Sequence, residues 1–204
     1  MESLARGGTR WKRFAVVMVP SVAATAAIGV ALSQGALAAS FSVSGQQFKV
    51  ATDRLDGTGF VQYGAVDAQK DGKQIPVAVS AFSSAKIKNL CQSVVVPVPV
   101  FGDVSMVLRA GGGKPVEAKN LYIDLDQLNA DATFKNINIG VAAGSTSKGP
   151  GIKKGDKTDP GSFAQEADSA TLTGVKQTAW ATTAGTFKLS GLSMKVTKGK
   201  NECY

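Results

Sequence analysis

The sequence contains no histidine. A serine or cysteine hydrolase ordinarily needs an imidazole to take the nucleophile's proton and return it to the leaving group, so that design is excluded within one chain. Histidine-based zinc chemistry is excluded with it, and two cysteines alone do not complete a four-ligand structural zinc site. There is no G-x-S-x-G nucleophile elbow. There is no G-x-x-x-x-G-K-[ST] phosphate loop either. Ser83-x-x-Lys86 and Ser145-x-x-Lys148 match S-x-x-K. That motif works on a helix, where i and i+3 share a face. The first copy falls in a strand pattern and the second in a polar loop that does not desolvate its lysine. No stretch after residue 40 carries an apolar stripe of helical period.

The N-terminus has the parts of an export signal. Arg6, Arg10, Lys12 and Arg13 precede the uncharged run Phe14 to Leu32, and Ser33-Gln34-Gly35-Ala36-Leu37-Ala38-Ala39 follows. Ala36 and Ala38 give the small-x-small pattern of signal-peptidase cleavage, with the cut after Ala38 or Ala39. The run is also long enough, at about 28 Å, to stay in a bilayer as a single-pass anchor. Both readings keep the positive charges inside and send the rest out. A twin-arginine signal is not expected, since Lys12 precedes Arg13. Residues 1–38 therefore read as signal peptide or membrane anchor. Residues 39–204 read as one extracytoplasmic β-rich domain, secreted or held at the plasma membrane.

Outside the cytoplasm an even cysteine pair forms a disulfide, so Cys91 and Cys203 are expected to join. The whole chain carries a net charge of +8. The first 38 residues hold four bases and one acid, which leaves +5 for the remainder. That basicity suits an anionic envelope or lipid surface. Nucleic acid is not the expected partner of an exported chain.

From Phe41 on, apolar residues alternate: Ile75, Val77, Val79 and Ala81, then Val96, Val98 and Val100, then Phe187 and Leu189. After a slip at Gly191 they resume as Leu192, Met194 and Val196. Period two places them on one face of a strand. Gly191 reads as a bulge or bend. Pro97 and Pro99, which lack an N–H, mark their strand as an edge or irregular one. A short phrase recurs at Ala85–Leu90, Ala132–Ile137 and Ala170–Val175, each ending in a turn-permissive Asn or Gly before an apolar residue. Its spacing is not constant. The expected fold is all-β, an elongated antiparallel sheet or sandwich, with a stacked β-solenoid as the alternative. Residues 144–161, rich in Gly, Lys and Pro, read as a flexible exposed loop.

Candidate binding residues are few. Lys148, Lys153, Lys154 and Lys157 of that loop, and Lys195, Lys198 and Lys200 near the C-terminus, could meet anionic groups. Asp124 and Asp126, with Asp131 nearby, could hold Ca²⁺ through oxygen ligands, although the glycine and spacing of a calcium loop are missing. Tyr122 and Trp180 could line a site or fill the core. No cofactor is implied, and oligomeric state is not specified.

The segments FSVSGQQFKVATDRLDGTGFVQYG and KGPGIKKGDKTDPGSFAQEADSATLTGVKQTAWATTAGTFKLSGL, with the terminal NECY, resemble a family of secreted actinobacterial proteins of unknown function, common in streptomycetes. Members often carry the automatic name cholesterol esterase. The resemblance covers essentially the whole chain and implies sterol-ester hydrolysis, but no residue here matches a catalytic motif. The reading from the residues is a non-enzymatic cell-envelope protein, lipid-binding or structural. A lipid-ester hydrolase with unusual groups is the alternative that the resemblance implies.

Overall fold

Alternation at period two, broken by residues that accept a left-handed backbone, gives long antiparallel strands with corners. The computed structural model describes residues 44–204. The N-terminal readings, including the cleavage residues Ala36, Ala38 and Ala39, lie outside the described residues. Among the described residues no helix is long and apolar enough to cross a membrane.

The strands are β1 (Phe48–Ala68), β2 (Gln74–Lys88), β3 (Leu90–Val98), β4 (Gly102–Ala110), β5 (Val116–Lys135), β6 (Asn138–Ala142), β7 (Phe163–Lys188) and β8 (Ser193–Lys198). They form one antiparallel sheet in the order β6-β7-β5-β2-β1-β3-β4-β8. β7 also pairs with β1, Phe48 opposite Ala179 through Tyr63 opposite Ala164. The chain β1-β2-β5-β7-β1 is thereby closed into a four-stranded barrel. β3, β4 and β8 extend from it as a three-stranded wing. The all-β reading holds. The solenoid alternative is corrected, because stacked solenoid coils pair in parallel and every pairing here is antiparallel.

The recurring phrase marks corners. Asn89, Asn136 and Gly174 take φ of 52°, 51° and 59°. Asn tolerates this conformation better than other side chains and Gly adopts it freely. Asn89 Nδ2 donates to Asp53 Oδ2, and Asn136 Nδ2 donates to Asp168 Oδ2. The two asparagine corners are thus each tied to an aspartate on a neighbouring strand. Pro97 and Pro99 behave as expected. β1 borders β3 only from Cys91 to Val94, so beyond that point β3 has β4 as its neighbour and Pro97 lies opposite Asp103. Of the two readings of Gly191 the bend holds: it lies in a turn between β7 and β8.

Both faces of the barrel wall are covered. The inner cluster holds Leu55, Phe60, Phe82, Leu121, Ile123 and Leu172. The outer cluster holds Val61, Tyr63, Val77, Val79, Ala164 and Ala181, with Tyr122, Trp180 and Ile152 packed on it. Ile152 belongs to the 144–161 segment. The expectation that this segment stands clear of the protein is therefore corrected. It lies across the barrel as a strap, because polar groups of β1, β5 and β7 satisfy it. Glu166 accepts hydrogen bonds from the Ser147 and Lys148 amides at 2.6 and 2.9 Å. The Val66 amide donates to the Lys157 carbonyl at 3.0 Å. A Cβ at Gly149 would stand 2.5 Å from Val61 and 2.7 Å from the Gly59 carbonyl. Only glycine lets the strap lie that flat.

The wing is finished by the C-terminus. Cys91 and Cys203 form a disulfide across 112 residues. The Cys203 amide donates to Ser93 Oγ at 3.0 Å and the Asn201 amide to Ser105 Oγ at 2.8 Å, while Ser105 Oγ donates to the Gly199 carbonyl at 2.6 Å. Ser93 and Ser105 are fully buried by this cover.

Candidate functional site

Three features of the fold carry chemistry. The first is a charged cluster beneath the strap. Lys153 Nζ lies 3.0 Å from Asp124 Oδ2 and 3.2 Å from Asp156 Oδ1. Tyr63 donates its hydroxyl to Asp156 at 2.7 Å and accepts the Lys153 amide at 2.9 Å. Tyr122 donates to the Pro150 carbonyl at 3.3 Å, and the Lys153 ammonium stands 6.0 Å from its ring centre. Burial holds the Asp124 carboxyl above the usual range, although Lys153 pulls the other way. Burial presses the Lys153 ammonium down, but Asp124 and then Asp156 overcome it, and the net direction is up. The Asp124–Lys153 pairing thus offsets part of the burial that disfavours charge on either group.

Asp67 lies within the field of this cluster. Burial raises its carboxyl to about 6, with the Asp124 charge adding to the effect. Its Oδ2 is buried without a partner among the described residues. A group whose folded value is raised contributes stability that is complete below its ordinary value near 4 and is lost as pH rises through about 6. Asp67→Asn is therefore expected to remove the fall in stability between pH 4 and pH 7. It should raise the pH 8 stability by about 1 kcal/mol, after discounting for solvent at the carboxyl's exposed edge. Thermal melts of both proteins from pH 4 to pH 8 check this, and parallel curves would sink the assignment.

This cluster corrects two sequence readings. Lys153 is not a surface contact for anions, because two carboxylates already hold it. Asp124 is not a free calcium ligand, because it is buried against Lys153 while Asp126 and Asp131 are exposed. Register shifts between Asp124 and Leu125, and again before Gln127, break the alternation that would have put Asp124 and Asp126 on one face. No group of three metal-binding side chains occurs among the described residues. Lys148 is also engaged, with Asp168 at 3.3 Å and the Asn136 carbonyl. Lys154 and Lys157 are exposed on the strap, and Lys195, Lys198 and Lys200 on and just after β8. Tyr122 and Trp180 do share one place, the outer cluster under the strap.

The second feature is an inner cavity of about 150 Å³ between β5 and the β1–β2–β7 wall. Leu55, Phe60, Phe82, Leu125, Leu128 and Phe134 give it an apolar lining, with Gln62, Ser80 and Gln177 as polar points. Ser80 Oγ accepts from Gln62 Nε2 at 2.8 Å. Close-packed interiors hold few voids larger than a water molecule, and an empty apolar void of this size costs about 4 kcal/mol. The cavity follows from the topology. β5 borders β2 only as far as Leu125, and from Gln127 to Lys135 it borders β7 alone.

The third feature is the uncovered face of the wing. Residues directly opposite one another in an antiparallel sheet share a face. Val94, Met106 and Val196 form one row, Val96, Val104 and Lys198 the next, and Met194 stands opposite Leu108, which packs back against the inner cluster. Met106, Met194 and Val196 are exposed. The face ends at the β3–β4 turn, where Val100 and Phe101 are 102% and 67% exposed. Val100 takes φ of 71°, a conformation that costs a β-branched residue about 1–3 kcal/mol. The alternation of Leu192, Met194 and Val196 was legible in the sequence. Its exposure was not, because a half-buried strand and an open apolar face share one pattern.

A family model described as a family of unknown function, DUF6230, matches residues 44–204. No curated protein and no solved structure matches the chain.

Proposed function

We propose, for a chain that belongs to the DUF6230 family of unknown function, that it is an exported, non-enzymatic protein that docks on an anionic lipid surface through its wing. The carrying observation is the continuous apolar face of β3, β4 and β8 with Val100 and Phe101 projecting from its end. Isolated exposed apolar residues are ordinary, whereas a contiguous face marks an interaction surface. The occupant follows from the charges beside it. Lys198 lies on the face itself, in the row of Val96 and Val104, and Lys200 follows it 3.7 Å from Asp103, while Lys195 stands opposite Val107 on the other face. Apolar side chains seated in the interface, with lysines at one edge worth about 1 kcal/mol each near anionic headgroups, are the composition of a peripheral lipid-binding surface. The hydrolase reading implied by the cholesterol esterase name has no comparable support. The serine that lines the inner cavity, Ser80, is bonded to Gln62 rather than to a base.

The test reads the wing itself, so that residues outside the described part do not confound it. A polarity-sensitive fluorophore is attached to Phe101→Cys, and in a second protein to Asp71→Cys at the β1–β2 turn. Both proteins are mixed with phosphatidylglycerol vesicles. The label at 101 should shift to an apolar signal and the label at 71 should not. Val100→Gly adds a second reading. It should raise stability by about 1 kcal/mol by relieving the backbone, yet weaken vesicle binding several-fold. No shift at 101, or equal shifts at both sites, would remove the proposal.

A further inference from the structure

We infer that the barrel interior is a binding slot for a single unbranched alkyl chain bearing one hydrogen-bonding head, such as a primary alcohol. Size is the first argument. An apolar cavity of about 150 Å³ accepts a molecule as small as benzene, and this one has that volume. Four fused sterol rings do not fit it. Shape is the second. A further void of about 30 Å³ adjoins it and shares Leu55, Ile123, Val175 and Gln177 as walls. The space is therefore drawn out along the barrel rather than rounded.

Chemistry is the third argument. On the β5 side the lining from Leu125 to Phe134 is apolar, with Ala130 and Ala132 as its small members. Polar side chains come only from the opposite wall. Gln62 and Ser80 are bonded to each other there, and Gln62 accepts a further bond from Gln165. Gln177, buried to 6% exposure, borders both voids. One hydroxyl can be satisfied at Ser80 or Gln177, while a ligand polar at both ends would leave the second group against β5. The entrance is the half of β5 that has β7 as its only neighbour, where Ala130 and Ala132 are exposed. Their small side chains leave the edge open. This slot is separate from the wing and does not depend on the docking proposal.

The experiment is calorimetric titration of the full chain with 1-octanol, and with 1-adamantanol, which has a similar head on a cage-shaped body. Wild type should bind octanol saturably at one site and adamantanol at least tenfold more weakly. Ala132→Phe places a ring in the entrance from an exposed strand position and should reduce octanol affinity at least tenfold. Its far-ultraviolet spectrum and melting temperature report whether the barrel is kept. Should that variant fail to fold, Ala130→Leu serves the same purpose. Gln177→Leu should weaken octanol binding while leaving n-octane binding in place, and Phe101→Ser should leave octanol binding unchanged. Octanol binding that survives the entrance block in a folded variant overturns the inference, as does equal binding of the cage alcohol.

Discussion

Replacing Cys91 and Cys203 together with serine is expected to lower the unfolding free energy by about 2–5 kcal/mol. The bond closes a loop across 112 residues, and for a loop of that length the chain-entropy description gives about 5 kcal/mol. The consequence is also local. Without the bond, residues 199–204 are held by hydrogen bonds to Ser93 and Ser105 and by Lys49, whose ammonium reaches Glu202 at 3.0 Å and the Tyr204 carbonyl at 3.3 Å. An exposed ion pair of that kind contributes under about 1 kcal/mol. The tail should therefore leave the wing before the barrel opens. Guanidinium titrations with and without reductant, combined with amide exchange at β4 and β8, check both parts. Equal midpoints, or exchange that rises evenly over the whole sheet, would show that the staple does not hold the wing.

Lys153→Met should cost about 3–5 kcal/mol at pH 7, because it strands Asp124 and Asp156, whose side chains are only 2% and 5% exposed. Removing one partner of a buried ion pair is far worse than never having had the pair. The double variant Lys153→Met/Asp124→Leu should for that reason recover most of the loss. The sign of the pH effect is fixed as well. Asp124 already binds its proton more readily in the folded state than when unfolded, and losing Lys153 strengthens that tendency. The cost should thus shrink as pH falls and the carboxyl becomes neutral. Denaturant midpoints at pH 5 and pH 7 measure it, and trypsin cleavage at Lys154 and Lys157 reports strap release. A loss that is the same at both pH values, or a double variant no better than the single, would mean that the cluster does not anchor the strap.

The sequence made the strand content plain. Ile75, Val77 and Val79 alternate and are buried, and Cys91 and Cys203, the sole cysteines, had one pairing open to them. Closure was not legible. β1 meets β7 more than a hundred residues away, and nothing local announces it. β7 buries mainly small residues, Ala164, Ala167, Ala170 and Ala179 among them, which carry little hydrophobic signal even though they line a core. The strap was read correctly as a loop and wrongly as exposed. Glycine and lysine content describes solvation in isolation, while the partners of Lys153 lie at Asp124 and the partner of its amide at Tyr63. The cavity is further still from the sequence, because it depends on where β5 parts from β2. The lysines of β8 stood out as a basic run, but the apolar face beside them looked like core.

The pairing of β1 with β7 also sets an order of events in time. A chain made from its N-terminus exposes β1 first, and β1 must wait for residues 164–179 before that edge is paired. Contacts of such separation form late, since the intervening loop must close before they repay its entropy. β2 can zip onto β1 at once through a short turn, leaving a half-built sheet with a long unpaired edge, the template on which chains join one another. Cys203 is made 112 residues after its partner. The covalent lock on the wing is therefore available only once β4 to β8 have been made, and a molecule truncated anywhere before residue 203 is left unlocked.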